Sequence, residues 1–423
     1  MPSVAAEVEA EFERIRLMAG MVIDPTLLRQ SFNDPTPELS LAPRGNEEVE
    51  PHGGAKVASL TLDRAYARYM DDPTHRWSVS TRQVYETGRR LAVSVIGADL
   101  PISVIVRSHC RDYLDVLRYL PRNAAKRFPN LTARESSQRA REHGGMEPIS
   151  AANANVNLAN LSSFLNWAVN EELLNRNPMR GLRLPDDVGK RDKRHPFSAE
   201  QLRAIFNAPL FRGCHDGERG YAKPGSDRPR NARFWVPLIA LHSGMRLNEI
   251  CQLDTTDIRE IEGVWCIAVS EKSLSGVTDK TLKTGASERL VPLHPALLSC
   301  GILAYVEDQR RAMQVKLFHD IDPGLRGRRA VAFSKWFTQF LKACGAYQPR
   351  TSFHSFRHNF RDELRAARID HNIAMILGGW TTGGNSSIAS ENYGRGFRVA
   401  ALYESVTRLT FSDIDLSHLI LAS

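Results

Sequence analysis

The sequence predicts a mainly α-helical protein with a small β-sheet, in which a helical N-terminal domain precedes a C-terminal domain of mixed helix and sheet. Three observations support this prediction. Residues 57–183 contain several segments with apolar residues at helical spacing and no convincing strand. Residues 184–196 form a basic segment with Pro and Gly that is typical of a linker. Residues 197–411 hold the two best strand candidates, both rich in β-branched residues.

The segment before the helical domain, residues 1–56, is predicted to be an acidic arm or linker. Its first 50 residues carry four Arg against ten Asp and Glu, a net charge of −6. Pro, Gly and acidic residues are frequent in SFNDPTPELSLAPRGNEEVEPHGG. Such a composition is typical of a linker or an extended arm.

Residues 57–183 predict a small helical bundle. A first helix covers the apolar positions from Leu60 to Tyr69, and a second, STRQVYETGRRLAVSVIG, begins with a Ser/Thr cap. The third, VIVRSHCRDYLDVLRYLP, ends at Pro121. The fourth, ISAANANVNLANLSSFLNWAVNEELL, has the clearest apolar stripe: Val156, Leu158, Leu161, Phe164, Leu165 and Val169.

The C-terminal domain is predicted from a helix break, two strands and further helices. FWVPLIALHSGMRLNEICQL contains two helical pieces that are broken at Ser243-Gly244. VWCIAV and ERLVPL are the strand candidates, and the segment between them includes the lysine-bearing turn KTLKTGAS. The rest of the domain is expected to be mostly helical.

Composition and charge narrow the possible functions. No run of about 18 apolar residues occurs, which argues against a membrane span, and the acidic N-terminus lacks the pattern of a secretion signal. The six cysteines are scattered without a C-x-x-C pair, which fits a reducing, cytoplasmic setting. The net charge is +8, so residues 51–423 carry +14. This charge indicates a polyanionic partner such as nucleic acid, although a solvated basic surface without a partner is the alternative.

Several polar residues of the C-terminal domain form a candidate active site. Arg246 follows the predicted helix break, and Lys283 lies in the turn between the two strands. His354 and Arg357 share FHSFRHNFRDEL, where a spacing of three places them on one helix face, roughly 5–6 Å apart at Cβ. Two cations held so close repel each other unless an anion joins them. Phosphate is the expected anion, because Arg forks onto phosphate oxygens and His can donate a hydrogen bond.

The order Arg, Lys, His-x-x-Arg, Trp, Tyr resembles the tyrosine recombinase (phage integrase) family. The segments SGMRLNEICQLDTTDI, KTGASERLVPLH, FHSFRHNF, LGGW and ENYG resemble family motifs, and Arg357 and Trp380 are 23 residues apart, close to the usual separation. NLSSFLNWAVNEELLNRNPMRGL resembles the end of the family's helical core-binding domain. The resemblance implies a core-binding domain at residues 57–183 and a mixed α/β catalytic domain at residues 197–411.

The resemblance also implies a role for each matching residue. Arg246 and Arg357 would neutralise the non-bridging oxygens of a DNA phosphodiester. Tyr393 would attack phosphorus, which leaves a 3′-phosphotyrosine and a 5′-hydroxyl. His354 would act as its base or assist the oxygen anion, and Lys283 would protonate the leaving 5′ oxygen.

Three further residues complete the predicted site. Trp380 would pack near the phosphate and donate its indole N–H. Glu249 is expected to be a buried carboxylate that orients the active-site groups, and His358 a structural hydrogen-bonding residue. His354 and His358 also have the i, i+4 spacing of zinc ligands, but the sequence shows no third ligand. We therefore predict no metal and no other cofactor, and no need for ATP because the phosphotyrosine conserves the bond energy.

The implied function is site-specific DNA recombination for the integration or excision of mobile DNA. Two alternatives remain: a relaxing topoisomerase of type IB chemistry, and a DNA-binding relative that has lost activity. The expected partners are double-stranded DNA and further copies of the chain, as a homo-tetramer on paired DNA sites. The family resemblance also allows accessory DNA-bending proteins as partners. The protein would then act in the cytoplasm, at a bacterial or phage nucleoid.

Basic residues outside the site are the candidate DNA contacts. The linker is one group, because its charge would let it follow a phosphate backbone. The complete set comprises Arg82, Lys190, Arg191, Lys193, Arg194, Lys272 and Lys280.

Some assignments keep an alternative. Arg246 could cap a helix with Glu249 as its surface partner. Lys272 or Lys280 could take the place of Lys283.

Two further alternatives concern the end of the chain. Tyr393 follows Trp380 by 13 residues, a longer separation than is common in the family, so Tyr403 in ALYESVTRL is the rival nucleophile. After a final helix at residues 397–409, the apolar tail 412–423 is predicted to dock on a neighbouring copy. The alternative is that the tail covers the core of its own domain.

Overall fold

The computed structural model describes residues 60–187, 189, 194–273, 276, 279–282, 288–324, 327–380 and 397–421. The chain divides into two compact units, with the boundary between Leu184 and Pro185. Each unit has its own hydrophobic core. The predicted arm, residues 1–56, lies outside the described residues.

Within residues 60–184 the N-terminal unit is helical. Its helices are α1 (Leu62–Asp71), α2 (Val79–Ile96), α3 (Arg107–Tyr119), α4 (Ala124–Arg127), α5 (Ala133–His143) and α6 (Ala151–Asn170). Ser or Thr side chains accept backbone hydrogen bonds at the starts of α1, α2, α5 and α6, and so pair N–H groups that have no partner within the helix. The cap of α2 is Ser78, which precedes the STRQ segment that the sequence suggested.

Large rings and leucines form the core of this unit. Tyr66 of α1 stacks on Phe164 of α6 with 4.0 Å between ring centroids, and Tyr113 of α3 is fully buried. Most of the predicted stripe of α6 is buried with them, but Val156 is 48% exposed. The reason is geometric: two residues of an α-helix turn by roughly 200°, so Val156 lies opposite the buried Leu158.

A three-stranded antiparallel sheet lies in the C-terminal unit, with the order β1 (Ile258–Ile261), β2 (Val264–Val269), β3 (Arg289–Pro292). The strands β2 and β3 confirm the two strand predictions. The sequence analysis missed β1, because its four residues IREI are too short and too charged to show a strand pattern. Ile267 pairs with Ile258 on one side and Val291 on the other, so a buried apolar row crosses the sheet.

Helices make up most of the rest of this unit, as predicted. Those in the described residues are α7 (Ala199–Phe206), α8 (Pro209–Arg212), α9 (Ala232–Ser243), α10 (Leu247–Cys251), α11 (Pro295–Ser299), α12 (Ile302–Arg311), α13 (Arg329–Ala343), α14 (Ser355–Ala366), α15 (His371–Gly378) and α16 (Val399–Thr407). Their apolar faces meet in a core that includes Trp235, Phe337, Phe340, Phe356 and Phe360.

The segment after α16 packs on its own unit. Leu419 is 1% exposed and belongs to the core. Arg230 donates a hydrogen bond to the Leu419 carbonyl oxygen at 3.0 Å, and the His418 ring lies 2.9 Å from the Phe206 carbonyl oxygen. In this structure the tail therefore covers its own core, the second of the two arrangements that the sequence allowed.

Among the described helices, none is both long enough and apolar enough to span a membrane.

Candidate active site

The turn between α9 and α10 places Arg246. Gly244 ends α9 in a left-handed conformation, with φ of 61°, and a Cβ there would clash with the Phe360 ring. Both the backbone angle and the packing therefore require glycine. The turn brings Arg246 to the N-cap of α10, where its backbone N–H donates to the Glu249 carboxylate at 3.0 Å.

Glu249 is buried between two arginines, with an exposed fraction of 3%. Arg246 donates through Nη1 to Oε1 of Glu249, and Arg289 of β3 donates through Nη2 to Oε2 at 2.9 Å. Burial raises the pKa of the Glu249 carboxyl, but the charges and hydrogen bonds of Arg289 and Arg246 outweigh it and hold that pKa below its ordinary value. Glu249 is thus an ionised, buried partner of two arginines and not a surface partner of one.

Arg357 lies next to Arg246, near the start of α14, and is 4% exposed. Its Nη1 donates to the Gly244 carbonyl oxygen at 2.7 Å, and its Nη2 donates to the Gly379 carbonyl oxygen at 3.4 Å. Nη2 of Arg246 donates to the same Gly379 oxygen at 3.1 Å. One carbonyl oxygen therefore gathers the two arginines that the sequence analysis assigned to phosphate binding.

Trp380 packs against two guanidinium groups. The Arg357 guanidinium carbon lies 4.7 Å from the Trp380 ring centroid, and that of Arg361 lies 5.1 Å away. Cations at these distances are attracted by the negative face of an indole ring. Trp380 therefore lies within the arginine cluster.

The two glycines of LGGW leave the space that this packing needs. A Cβ on Gly378 would clash with the Trp380 ring, and one on Gly379 would lie 2.8 Å from Nη1 of Arg289. Gly379 also has φ of 55°, in the left-handed region. The glycine pair thus lets the chain turn after α15 while Trp380 and Arg289 pack against it.

His354 directly precedes α14, and its ring centroid lies 5.2 Å from that of His358. Burial and, after it, the positive charge of Arg194 lower the pKa of His354 to about 4. Burial also lowers the pKa of His358. His354 is therefore neutral at pH 7 and can accept a proton. In the part of the chain that the structure describes, no three His, Cys, Asp or Glu side chains group as metal ligands would.

Positive charge accumulates at this site. Arg246, Arg289, Arg357 and Arg361 lie within it, and Glu249 is the carboxylate that two of them share. Burial and the charges of Arg246 and Arg289 lower the pKa of the Arg357 guanidinium to about 9. An anion that binds here relieves this mutual repulsion, so the arrangement is suited to a phosphate.

Lys280 lies in a buried ion-pair network. Its side chain is 1% exposed, and its ammonium lies 2.9 Å from the Asp254 carboxylate and 2.6 Å from that of Asp257. Lys316 reaches the same Asp254 at 2.9 Å. An ammonium that is buried with two carboxylates has no access to a DNA phosphate. The expectation that Lys280 contacts DNA or takes the place of Lys283 is therefore corrected.

The other predicted DNA contacts are distributed between the two units. Arg82 pairs with Asp71 at 2.5 Å, and both side chains are more than half exposed. Arg194 and Lys272 are exposed. Lys190, Arg191 and Lys193 lie outside the described residues, as do the predicted catalytic residues Lys283 and Tyr393. The rival Tyr403 is half-buried in α16.

Sequence reasoning missed two arginines of the cluster. Arg289 is a charged residue in a strand whose neighbours are apolar, and that contrast signals a buried partner for it. Arg361 follows Arg357 by four residues on α14, so helical spacing alone places the two on one face.

Comparisons with known proteins give one family match and several solved structures of similar fold. Residues 230–393 match the phage integrase family. The chain is similar to the Tn1549 transposon integrase solved with circular intermediate DNA, at a TM-score of 0.50 and 16% identity over 79% of this chain and 99% of that one. It is also similar to a variant of that integrase with transposon right end DNA, at a TM-score of 0.51 and 16% identity over 81% and 98%. A lambda integrase dimer on a core site aligns with a TM-score of 0.48 and 17% identity over 92% and 87%. No curated protein sequence matches.

Proposed function

We propose, because residues 230–393 match the phage integrase family, that the chain is a site-specific DNA recombinase, which integrates or excises mobile DNA. The observation that carries the proposal is the convergence of Arg246 and Arg357 on one carbonyl oxygen. A phosphodiester resists attack because its negative charge repels a nucleophile. Two guanidinium groups offset that charge, and they do so most strongly in the transition state, where more charge develops.

In the proposed reaction the phenol oxygen of Tyr393 attacks phosphorus, and the bond from phosphorus to the 5′ oxygen breaks. A free phenol has a pKa of about 10, so it needs a base. His354 takes the phenolic proton: its lowered pKa keeps the imidazole neutral at pH 7, and the negative charge of a bound phosphate would raise that pKa and make it a stronger base. Lys283 gives a proton to the leaving 5′ oxygen. The 5′-hydroxyl of a second strand then reverses the steps and reseals the DNA without ATP.

The remaining residues of the site hold this arrangement. Trp380 packs against Arg357 and would place its indole N–H near a phosphate oxygen. Glu249 orients Arg246 through its hydrogen bonds. His358 lies beside His354 and would support that ring.

Outside the site, we assign DNA binding to both units. In this proposal the helical unit is the core-binding domain. The basic linker residues follow the phosphate backbone: Lys190, Arg191, Lys193 and Arg194. Arg82 and Lys272 contribute further contacts. Exchange of strands between two duplexes needs four cuts, so we assign four copies of the chain to a pair of sites.

Trapping a covalent adduct tests the function. DNA duplexes that bind the protein are first selected from a random-sequence pool. The selected duplexes are then resynthesised with a nick near the cleavage position, so that the cleaved fragment dissociates and the covalent adduct cannot be resealed. We expect a covalent protein–DNA adduct with the native chain and none with Tyr393→Phe, which loses only a hydroxyl. Tyr403→Phe is the matched control and should form as much adduct as the native chain.

The outcomes separate the possible functions. Selected DNA that is bound but never joined to the native chain would indicate the inactive DNA-binding relative. Adduct formation with relaxation of supercoils, but without exchange between two sites, would indicate the topoisomerase. An adduct that persists in Tyr393→Phe and disappears in Tyr403→Phe would transfer the nucleophile to Tyr403.

A further inference from the structure

Arg289 is a charged side chain inside the active-site cluster that no step of the reaction above uses. It begins β3, and its side chain is 2% exposed. Nη2 donates to Oε2 of Glu249 at 2.9 Å, and Nε donates to the Leu377 carbonyl oxygen at 3.0 Å. We propose that Arg289 is a positioning residue that sets the place and the charge of Arg246 for phosphate binding. This inference rests on the proposed function.

The first part of the argument is the shared carboxylate. Oε1 of Glu249 accepts from the Arg246 side chain, whereas Oε2 accepts from Arg289 and from the Arg246 backbone N–H. Because Arg289 takes up part of the Glu249 charge, this carboxylate neutralises Arg246 less than it would if Arg246 were its sole partner. Without Arg289, the carboxylate would be free to turn wholly to Arg246 and to neutralise it.

The second part is the contact of Arg289 with the turn after α15. Nε of Arg289 donates to the carbonyl oxygen of Leu377, and the guanidinium packs under Gly379, where a Cβ would lie 2.8 Å from Nη1. The Gly379 carbonyl oxygen accepts from both Arg246 and Arg357. Arg289 thus supports the carbonyl that gathers the two phosphate-binding arginines, as well as the carboxylate that orients one of them.

The cost of burying Arg289 favours this role over simple packing. A buried ion pair can often be replaced by apolar residues without loss of stability, because desolvation offsets much of the attraction. Burial lowers the pKa of the Arg289 guanidinium, and the charge of Arg246 lowers it further, whereas Glu249 raises it. A strand that needed only packing at this position would be served better by an apolar side chain.

The test compares cleavage of a charged and a neutral phosphate. Each variant is incubated with the selected, nicked duplex, made either with a normal scissile phosphate or with a methylphosphonate, which has no negative charge. We expect Arg289→Met to slow adduct formation on the phosphate by about 10–100-fold, by analogy with the loss of hydrogen-bonding groups that orient metal ligands. On the methylphosphonate the deficit should shrink to less than about threefold, because a neutral substrate makes little use of the charge of Arg246.

The matched control is Arg310→Met. Arg310 is a half-buried arginine of the same unit that donates to the carbonyl oxygens of Thr255 and Ile258. Its loss can affect stability, but the ratio of the phosphate rate to the methylphosphonate rate should equal that of the native chain. A purely structural role for Arg289 would give this same unchanged ratio, and so would overturn the proposal.

A conservative variant covers the case in which Arg289→Met does not fold. Arg289→Lys keeps a charge but cannot reach Glu249 and Leu377 with one planar group. We expect Arg289→Lys to fold and to form adduct more slowly than the native chain on the phosphate. On the methylphosphonate its rate of adduct formation should approach that of the native chain. A native rate on the phosphate, or a deficit equal on both substrates, would contradict the proposal. If the native chain cleaved neither substrate, the proposed function itself would fail, which is a different outcome.

Discussion

At the scale of single residues, His354 shows how surroundings set chemistry. An unperturbed histidine has a pKa of about 6.5, but burial and neighbouring cations lower the pKa of His354 to about 4. The protein that lacks DNA therefore holds a neutral imidazole throughout the physiological range. A bound phosphate would add negative charge nearby and raise that pKa, so DNA itself would make His354 a better proton acceptor.

We predict that His354 titrates near pH 4 in the DNA-free protein. The folded state then binds fewer protons than the unfolded state between about pH 4 and 6.5, so this residue lowers the free energy of unfolding as the pH falls through that window. Histidine NMR across this range measures the midpoint, and His354→Gln assigns the resonance. His358, whose pKa is also lowered, gives the neighbouring signal for comparison. A midpoint at or above 6.5 for His354 would contradict the prediction.

The site residues that the sequence predicted are those in the segments that resemble motifs of a known family. Arg246, His354, Arg357 and Trp380 were expected to meet, and the structure brings them together. Arg289 was missed because its partners are a carboxylate 40 positions away and a main-chain carbonyl, and a single sequence shows neither contact. A residue that acts by contacting another side chain far away in the sequence cannot be recognised from the spacing of residues along the chain.

At the scale of elements, α10 supports more than one part of the site. Arg246 caps its N-terminus, and residues near its C-terminus hold the chain that leads to Lys283. The Gln252 side chain accepts from the Thr281 backbone N–H at 3.0 Å and donates to the Thr281 carbonyl oxygen at 3.2 Å. The neighbouring Lys280 is paired with Asp254 and Asp257. Thr281 is therefore held by the residue that ends the same short helix whose start positions Arg246.

We predict that Lys280→Ala lowers the free energy of unfolding by about 3–5 kcal/mol, because it leaves two buried carboxylates without their shared cation. Burial already raises the pKa of Asp257, so the loss should be smaller at low pH, where that carboxyl takes up a proton. Denaturant unfolding at pH 7 and pH 5 measures both effects. Lys272→Ala, an exposed lysine of the same segment, should change stability by less than about 0.5 kcal/mol. Unchanged stability with a large loss of DNA affinity would restore the original DNA-contact assignment of Lys280.

The elements that could be predicted were those with long periodic patterns. The helices α2, α3 and α6 and the break between α9 and α10 follow directly from spacing, caps and glycine. The strand β1 could not be found, because its four residues gain their strand geometry from pairing with β2 and not from their own composition. Lys280 was placed on the surface for a similar reason, since only the fold reveals Asp254 and Asp257 beside it.

At the scale of the whole molecule, the C-terminal tail packs on the C-terminal unit of its own chain and completes the core of that unit. Arg230 donates to the carbonyl oxygens of Cys300 and Leu419, and so joins the end of α11 to the tail. Gly301, with φ of 84°, has no side chain where Leu421 packs, and a Cβ there would clash with that leucine. The Leu421 backbone N–H donates to Ser299 at 3.2 Å. Arg230, Gly301 and Ser299 therefore form a binding surface for the tail of the same chain.

We therefore predict that deleting residues 412–423 destabilises the free protein. Burial of one leucine such as Leu419 is worth about 1.5–3 kcal/mol, and for a unit of this size each kcal/mol shifts the unfolding midpoint by about 2–4 °C. A calorimetric midpoint lower by about 3–12 °C is expected. Leu421→Ala is the control within the tail, because Leu421 is 45% exposed and its loss should shift the midpoint by less than half as much. A tail donated to a neighbouring copy makes the opposite prediction: the truncated chain would melt like the native one and bind single sites normally, but fail to pair two of them. That result would mean that this binding surface takes the tail of another copy when the protein assembles on DNA.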